Sequence, residues 1–290
     1  MKADLHYHGP IGFQDYWLKL QGYEGENMLQ LIADACFSNG LDLCSITSEE
    51  TDIPRGSVQD RLGHLVKQIK TLPQDYKAGK LGENVLVVEH QARKVYLLNS
   101  QTVLCQDNGR RTEFLVVGTN QVPNLLHLKQ ALAYANDKKL ITVAEHPYCR
   151  VHGGIEQRGL EENHESFDAI ETHNSQFRWG SWIPILGNYS RQMNEQAAKF
   201  AQAHGKPGIA TSDGHWVHEA GISYIEFHGK VDTTSDETIF RDLKTVIKAG
   251  ERRETQGRVV GAYENHCEYS KFRDWLKTGY LLKVKVKEAH

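Results

Sequence analysis

The chain has 290 residues, 39% hydrophobic and 24% charged, with a formal net charge of -3. This is a globular composition without low-complexity tracts, and it carries no global basic field that would draw in nucleic acid. No apolar run approaches the roughly 18 residues of a membrane span, and the opening Met1–Gly9 passes at once into a strand-like stretch, leaving no room for a signal peptide.

In chain order, Lys2–His6 reads as a strand. Met28, Leu31, Ile32, Ala35 and Cys36 fall on one face of a helix that Gly40 stops. Leu41–Thr47 is a second strand, and Leu62, Leu65, Val66 and Ile69 mark a second helix. Val85–Glu89 is a third strand, followed by the hairpin-like Lys94–Leu98 and Phe114–Gly118. A helix at Pro123–Asn136, strands at Leu140–Ala144 and Ala169–Thr172, a helix at Arg191–His204 and a strand at Gly208–Thr211 continue the pattern. A strand at Ser223–Phe227 and a helix at Asp236–Ala249 close it. Strands alternating with helices imply a largely parallel sheet, and about seven repeats in this length favour a closed α/β barrel over an open sheet.

The domain expected is a barrel over residues 1–250, with 251–290 a C-terminal extension packed on it. In that extension Tyr269, Phe272, Trp275 and Leu276 suggest a short helix, and Leu282, Val284 and Val286 alternate with lysines as an edge strand. Five widely spaced cysteines without CxxC spacing read as reduced thiols of a cytoplasmic protein.

The histidines carry the chemistry. His6 and His8 sit two apart at the end of the first strand, so both rings share a face. Glu89 ends the third strand, and His146 and His173 follow Leu140–Ala144 and Ala169–Thr172. Asp213 and His215 follow Gly208–Thr211, again two apart. Strand C-termini of a parallel barrel converge on one mouth. Imidazoles and carboxylates gathered there are the ligands of zinc, manganese or iron, and without a cation they would repel one another. There is no GxSxG elbow, no phosphate-binding P-loop and no HExxH helix.

The order Asp4-Leu5-His6-Tyr7-His8, Gly40-Leu41-Asp42-Leu43, Glu89, His146-Pro147, Glu171, Asn174 and Ser212-Asp213-Gly214-His215 resembles the PHP (polymerase and histidinol phosphatase) superfamily over about residues 1–250. The resemblance implies a distorted seven-stranded (β/α) barrel, two or three divalent metal ions and phosphoester hydrolysis. It implies that His6, His8, Glu89 and Asp213 surround one ion, and that Glu89, His146 and His173 hold a second with Glu89 bridging. His215 would belong to a third. Glu89, Asp213 and His215 are then the expected catalytic groups. The chain departs from the family at Thr47-Ser48-Glu49, where a Thr-Asp-His is usual. Glu49 could stand in for the histidine, with Asp15 assisting, or the site is binuclear.

The reading this supports is attack of a metal-bound hydroxide on a small phosphomonoester or nucleotide, with Arg150 and Arg178 as candidate phosphate-binding groups. A PHP-type nuclease, an amidohydrolase and a metal-binding barrel with impaired catalysis acting as a scaffold remain alternatives. The amidohydrolase is disfavoured because no lysine stands at a strand end.

Overall fold

The computed structural model describes residues 1–10, 23, 25–51, 57–107, 109–150, 153–178, 184–250 and 252–255. Its strands are β1 (Lys2–Tyr7), β2 (Leu43–Ser48), β3 (Glu50–Thr51), β4 (Ser57–Val58), β5 (Tyr76–Leu81), β6 (Val85–His90), β7 (Arg93–Asp107), β8 (Arg110–Val117), β9 (Ile141–Ala144), β10 (Ala169–Asn174), β11 (Gly208–Thr211), β12 (Tyr224–Phe227) and β13 (Arg252–Thr255). The α-helices are α1 (Met28–Ser38), α2 (Arg61–Lys67), α3 (Leu128–Asp137), α4 (Glu156–Asn163), α5 (Pro184–Ala203) and α6 (Asp236–Ala249).

Among the described residues, eleven strands join in one sheet, with β3 and β4 forming a separate small hairpin. The path runs β11-β10-β9-β8-β7-β2-β1-β12-β13, and β5 and β6 attach beside β7. β1, β2 and β7 are mutually parallel, as are β9, β10 and β11. β8 lies antiparallel between the two groups, so all six point the same way. The first strand meets the segment after β11: Tyr7 bridges Gly214, and the Asp213 amide donates to the His6 carbonyl at 2.7 Å. The sheet is a nearly closed barrel. The strands expected within residues 1–250 are all present, and the count is larger because hairpins are inserted beside the barrel strands.

Alternation along β1 explains its two faces. Ala3 and Leu5 join an apolar cluster with Leu43, Val143, Ile209, Ile239 and Leu243, while Asp4, His6 and His8 take the alternate positions. Asp4 secures the seam. Its buried carboxylate accepts from the amides of His6 (3.3 Å), Ser212 (3.1 Å) and Gly221 (2.9 Å), which ties β1 to the segment after β11. The helices end as their sequences dictate. Asn27 caps α1 by accepting from the Gln30 amide, and Ser235 caps α6, which Gly250 closes in a left-handed conformation (φ 67°).

The stretch between β9 and β10 contains α4. Of the expected C-terminal extension only Arg252–Thr255 is described, and it adds β13 to the barrel sheet beside β12. The expected helix and strand beyond it, like Asp15, lie outside the described residues. Cys36, Cys44, Cys105 and Cys149 are buried free thiols. No helix among the described residues is long and apolar enough to cross a membrane.

Candidate metal centre

The C-terminal ends of the co-directional strands bring His6, His8, Glu145, His146 and Asp213 together. Two groups of potential ligand atoms, His6–Glu145–His146 and His6–His8–Asp213, each lie within 4.8 Å, and all five residues are buried. The Nε2 atoms of His6 and His8 face each other at 3.0 Å. His6 Nε2 is 3.3 Å from Glu145 Oε2 and 3.4 Å from Asp213 Oδ1, and His8 Nε2 is 3.3 Å from the same Asp213 oxygen.

A second layer fixes these groups. His6 Nδ1 lies 2.9 Å from Glu171 Oε1, a carboxylate that can only accept, so Nδ1 carries a proton and Nε2 is the nitrogen turned to the centre. Asn174 Nδ2 donates to both Glu171 and Asp213 at 3.0 Å, and the His146 amide donates to Glu171 Oε2 at 2.5 Å. His215 stacks on His8 with ring centroids 4.7 Å apart, and its Nδ1 donates to the Asp213 carbonyl at 2.9 Å, leaving Nε2 as an acceptor. Two of the ligand candidates hold left-handed backbone, His146 at φ 25° and Asp213 at φ 48°. Such conformations persist only where the surroundings enforce them. At His146 the turn also ends the strand alternation, which lets consecutive Glu145 and His146 reach the same centre.

The electrostatics call for a cation. Burial opposes charging His6, yet Asp213, Glu171 and Glu145 hold its pKa well above the ordinary imidazole value. Burial acts against Asp213 ionising, but His6, His8 and His215 keep its pKa well below the usual carboxylate range. Glu145 is pushed well above it by burial and by Glu113, Glu171 and Asp213, against the pull of His6. Glu113, on β8 and 3.6 Å from His146 Nε2, is raised to about 8 by burial and Asp213. Glu145 Oε2 accepts from Thr102 Oγ1 at 3.1 Å, but its Oε1 is buried with no hydrogen-bond partner. A divalent ion would satisfy that oxygen and relieve the repulsion, so the residues present fit a metal.

The expected site residues divide. His6, His8, His146 and Asp213 stand in the cluster, with His215 beside it. His173 is on β10 but belongs to neither group of ligand atoms; its strand neighbours Glu171 and Asn174 make the contacts to Asp213 and His6 instead. Glu89 needs correction. β6 runs antiparallel to β7, so its C-terminal end lies beside the start of β7, at the end of the barrel opposite the mouth. There Glu89 pairs with Lys94 at 2.8 Å with its side chain 45% exposed. Arg150 is corrected too: its side chain is 74% exposed and pairs with Glu156 at 2.9 Å, on a surface groove shared with Tyr148, Gln192 and Phe200. Of Arg178 only the backbone is described. Glu49 does reach the rim of the cluster, 4.0 Å from His8 Nδ1, but its carboxylate is ion-paired with Arg61.

Sequence reasoning missed Glu145, Glu113 and Arg61. Glu145 had a signal, because it directly follows the strand that ends before His146. Glu113 sits mid-strand on β8 and Arg61 on a helix, and neither position marks itself.

A family model described as PHP-associated matches residues 191–245. No curated protein matches the sequence significantly. Among solved structures, PsfC from Pseudomonas syringae PB-5123 aligns over 93% of this chain and 98% of its own, with a TM-score of 0.58 at 14% identity. A two-domain protein from Bacteroides vulgatus ATCC 8482, containing a predicted PHP-like metal-dependent phosphoesterase, aligns over 93% of this chain and 69% of its own, with a TM-score of 0.54 at 13% identity. The chain has a PHP-like fold. It also spans 57% of the lesion-specific endonuclease PfuEndoQ from Pyrococcus furiosus, covering 87% of its own length, with a TM-score of 0.49 at 14% identity. At these identities the likeness is one of architecture.

Proposed function

We propose that this PHP-like barrel is a divalent-metal-dependent phosphoester hydrolase. The observation that carries the reading is the pair of ligand groups sharing His6, with the unpartnered Glu145 Oε1 between buried nitrogen and oxygen donors. His6, His8 and Asp213 would hold one ion, and Glu145 with His146 a neighbouring one, Glu113 standing near enough to His146 to assist. Glu145 thereby supplies the second ion with the carboxylate that the family resemblance assigned to Glu89. Mixed imidazole and carboxylate donors suit manganese, zinc or iron. Ions bound there would supply a Lewis acid for the phosphoryl oxygens and would lower the pKa of bound water to about 7.

The chain's own groups would do the rest. Glu171 fixes the His6 tautomer and Asn174 aims Asp213, so the ligands are positioned before substrate arrives. His8 Nδ1 lies 2.9 Å from Arg61 Nη1, a group that only donates, so Nδ1 accepts and the ring's proton sits on Nε2, toward Asp213, at the position an ion would take. His215 Nε2, freed by the Nδ1 hydrogen bond, can accept a proton at the mouth. The mildly acidic balance of the chain favours a small phosphomonoester or nucleotide over a long polyanion. The test is reconstitution with manganese, zinc or iron followed by elemental analysis, with turnover of p-nitrophenyl phosphate and of a single-stranded DNA oligonucleotide. Metal uptake with hydrolysis of the small ester is expected. Cleavage of the oligonucleotide alone would shift the reading to a nuclease, and metal without turnover of either to a scaffold. Absence of any metal uptake would sink the reading.

A further inference from the structure

Arg61 is the largest fully buried side chain of the described residues, at 1% exposure, and it lies beside the cluster rather than in a core. It opens α2, and its amide donates to Ser48 Oγ at 3.3 Å. Its guanidinium meets a ring of acceptors. Nη1 lies 2.8 Å from the Thr47 carbonyl, 3.1 Å from the His8 carbonyl and 2.9 Å from His8 Nδ1. Nη2 is ion-paired with Glu49. Two carbonyl oxygens, an imidazole nitrogen and a carboxylate form a donor set of the kind that binds a hard or borderline divalent cation. Here a monovalent cation that never releases its proton fills it.

We propose that Arg61 is a built-in cation that occupies the place of a third divalent ion beside His8, Glu49 and Thr47. The guanidinium satisfies every acceptor of that ring, so a third ion could enter only by leaving a buried guanidinium unpaired. The unusual Glu49 follows from the same arrangement. A carboxylate matches a guanidinium fork in charge and geometry, which a histidine at that position would not. Positive charge at this edge of the mouth then does not depend on the supply of free metal. The inference shares its location with the hydrolase reading but is read out by metal count, not by turnover.

The experiment is elemental analysis of full-length protein after manganese loading and gel filtration, for wild type, Arg61→Met, Arg61→Gln, Glu49→Gln, and Arg61→Met combined with Glu49→Gln. Circular dichroism and thermal unfolding check folding. Either neutral variant at Arg61 should gain about one manganese equivalent over wild type, because the vacated acceptors are left facing inward, and the double variant should lose that gain. Folded Arg61 variants with no gain would overturn the proposal. So would a wild type that holds a third equivalent removed by Glu49→Gln, a result that needs no Arg61 variant. Failure of this inference alone reads as two ions in wild type and in both Arg61 variants. Failure of the hydrolase reading reads as no ion in wild type, and a gain over that baseline in the variants would still support Arg61 as the resident cation.

Discussion

Glu145 and Glu89 are chemically the same residue type placed at opposite ends of the barrel. Glu145 is fully buried with one oxygen unpartnered, whereas Glu89 is half exposed and already paired with Lys94. Changing an orienting group behind a metal ligand typically costs 10–100-fold, so loss of a direct ligand should cost at least about 100-fold. Glu145→Gln is therefore expected to lower manganese-supported turnover by that factor and to reduce bound metal. Glu89→Gln should leave turnover and melting temperature as in wild type. Kinetics and elemental analysis on both variants check this, and similar turnover in the two would remove Glu145 from the centre.

The segment between β9 and α4 shows how an element's ending positions chemistry. His146 turns the chain out of the strand. The Cys149 amide donates to the His146 carbonyl at 2.8 Å, the Gly154 amide donates to the Cys149 carbonyl at 2.8 Å, and the Glu156 amide donates to the Pro147 carbonyl at 2.7 Å. Gly154 fits because it has no side chain. A Cβ there would stand 2.6 Å from the His146 carbonyl oxygen and 2.8 Å from the Cys149 backbone, which cannot give way as a flexible side chain would. Gly154→Ala should cost about 2 kcal/mol by overpacking and weaken metal binding by displacing His146. Gly79 on β5 has nothing within 4 Å of its would-be Cβ, so Gly79→Ala is the control. Chemical unfolding and metal titration of the two variants test it. Equal metal affinity would show that the loop's exact path does not matter to His146.

At the scale of the molecule, the barrel closes where β1 meets the segment after β11, and the candidate metal ligands straddle that seam. His6 and His8 come from one side, and Asp213 and His215 from the other, while Asp4 ties the two backbones beneath them. An ion shared by His6, His8 and Asp213 would therefore cross-link the first and last parallel strands. A ligand that binds only the folded state adds about 2.7 kcal/mol of stability at a hundredfold excess over its Kd. Stripping metal with a chelator should lower the melting temperature, and restoring manganese should recover it, with the gain growing with metal concentration. A melting temperature indifferent to chelator and to added manganese would count against an ion at the seam.

What the sequence by itself determined was local. Period-two spacing put His6 with His8 on a shared face, and the 3.6-residue pattern located α1 and α6, because these periodicities belong to the backbone and need no partner. The Ser212–His215 segment was legible only as a motif, since Asp213 lies past the end of β11 in left-handed backbone. The direction of a strand within the sheet is not a local property. Val85–His90 has the composition of a barrel strand, and only its antiparallel pairing with β7 shows that Glu89 points away from the mouth. Glu113 reaches His146 because β8 reverses beside β7, and Arg61 reaches His8 because α2 packs its first turn under the end of β2. Chain pairing decided which carboxylates surround the centre and which cation stands at its edge, since contacts between residues far apart in the chain leave no periodicity in the sequence to read.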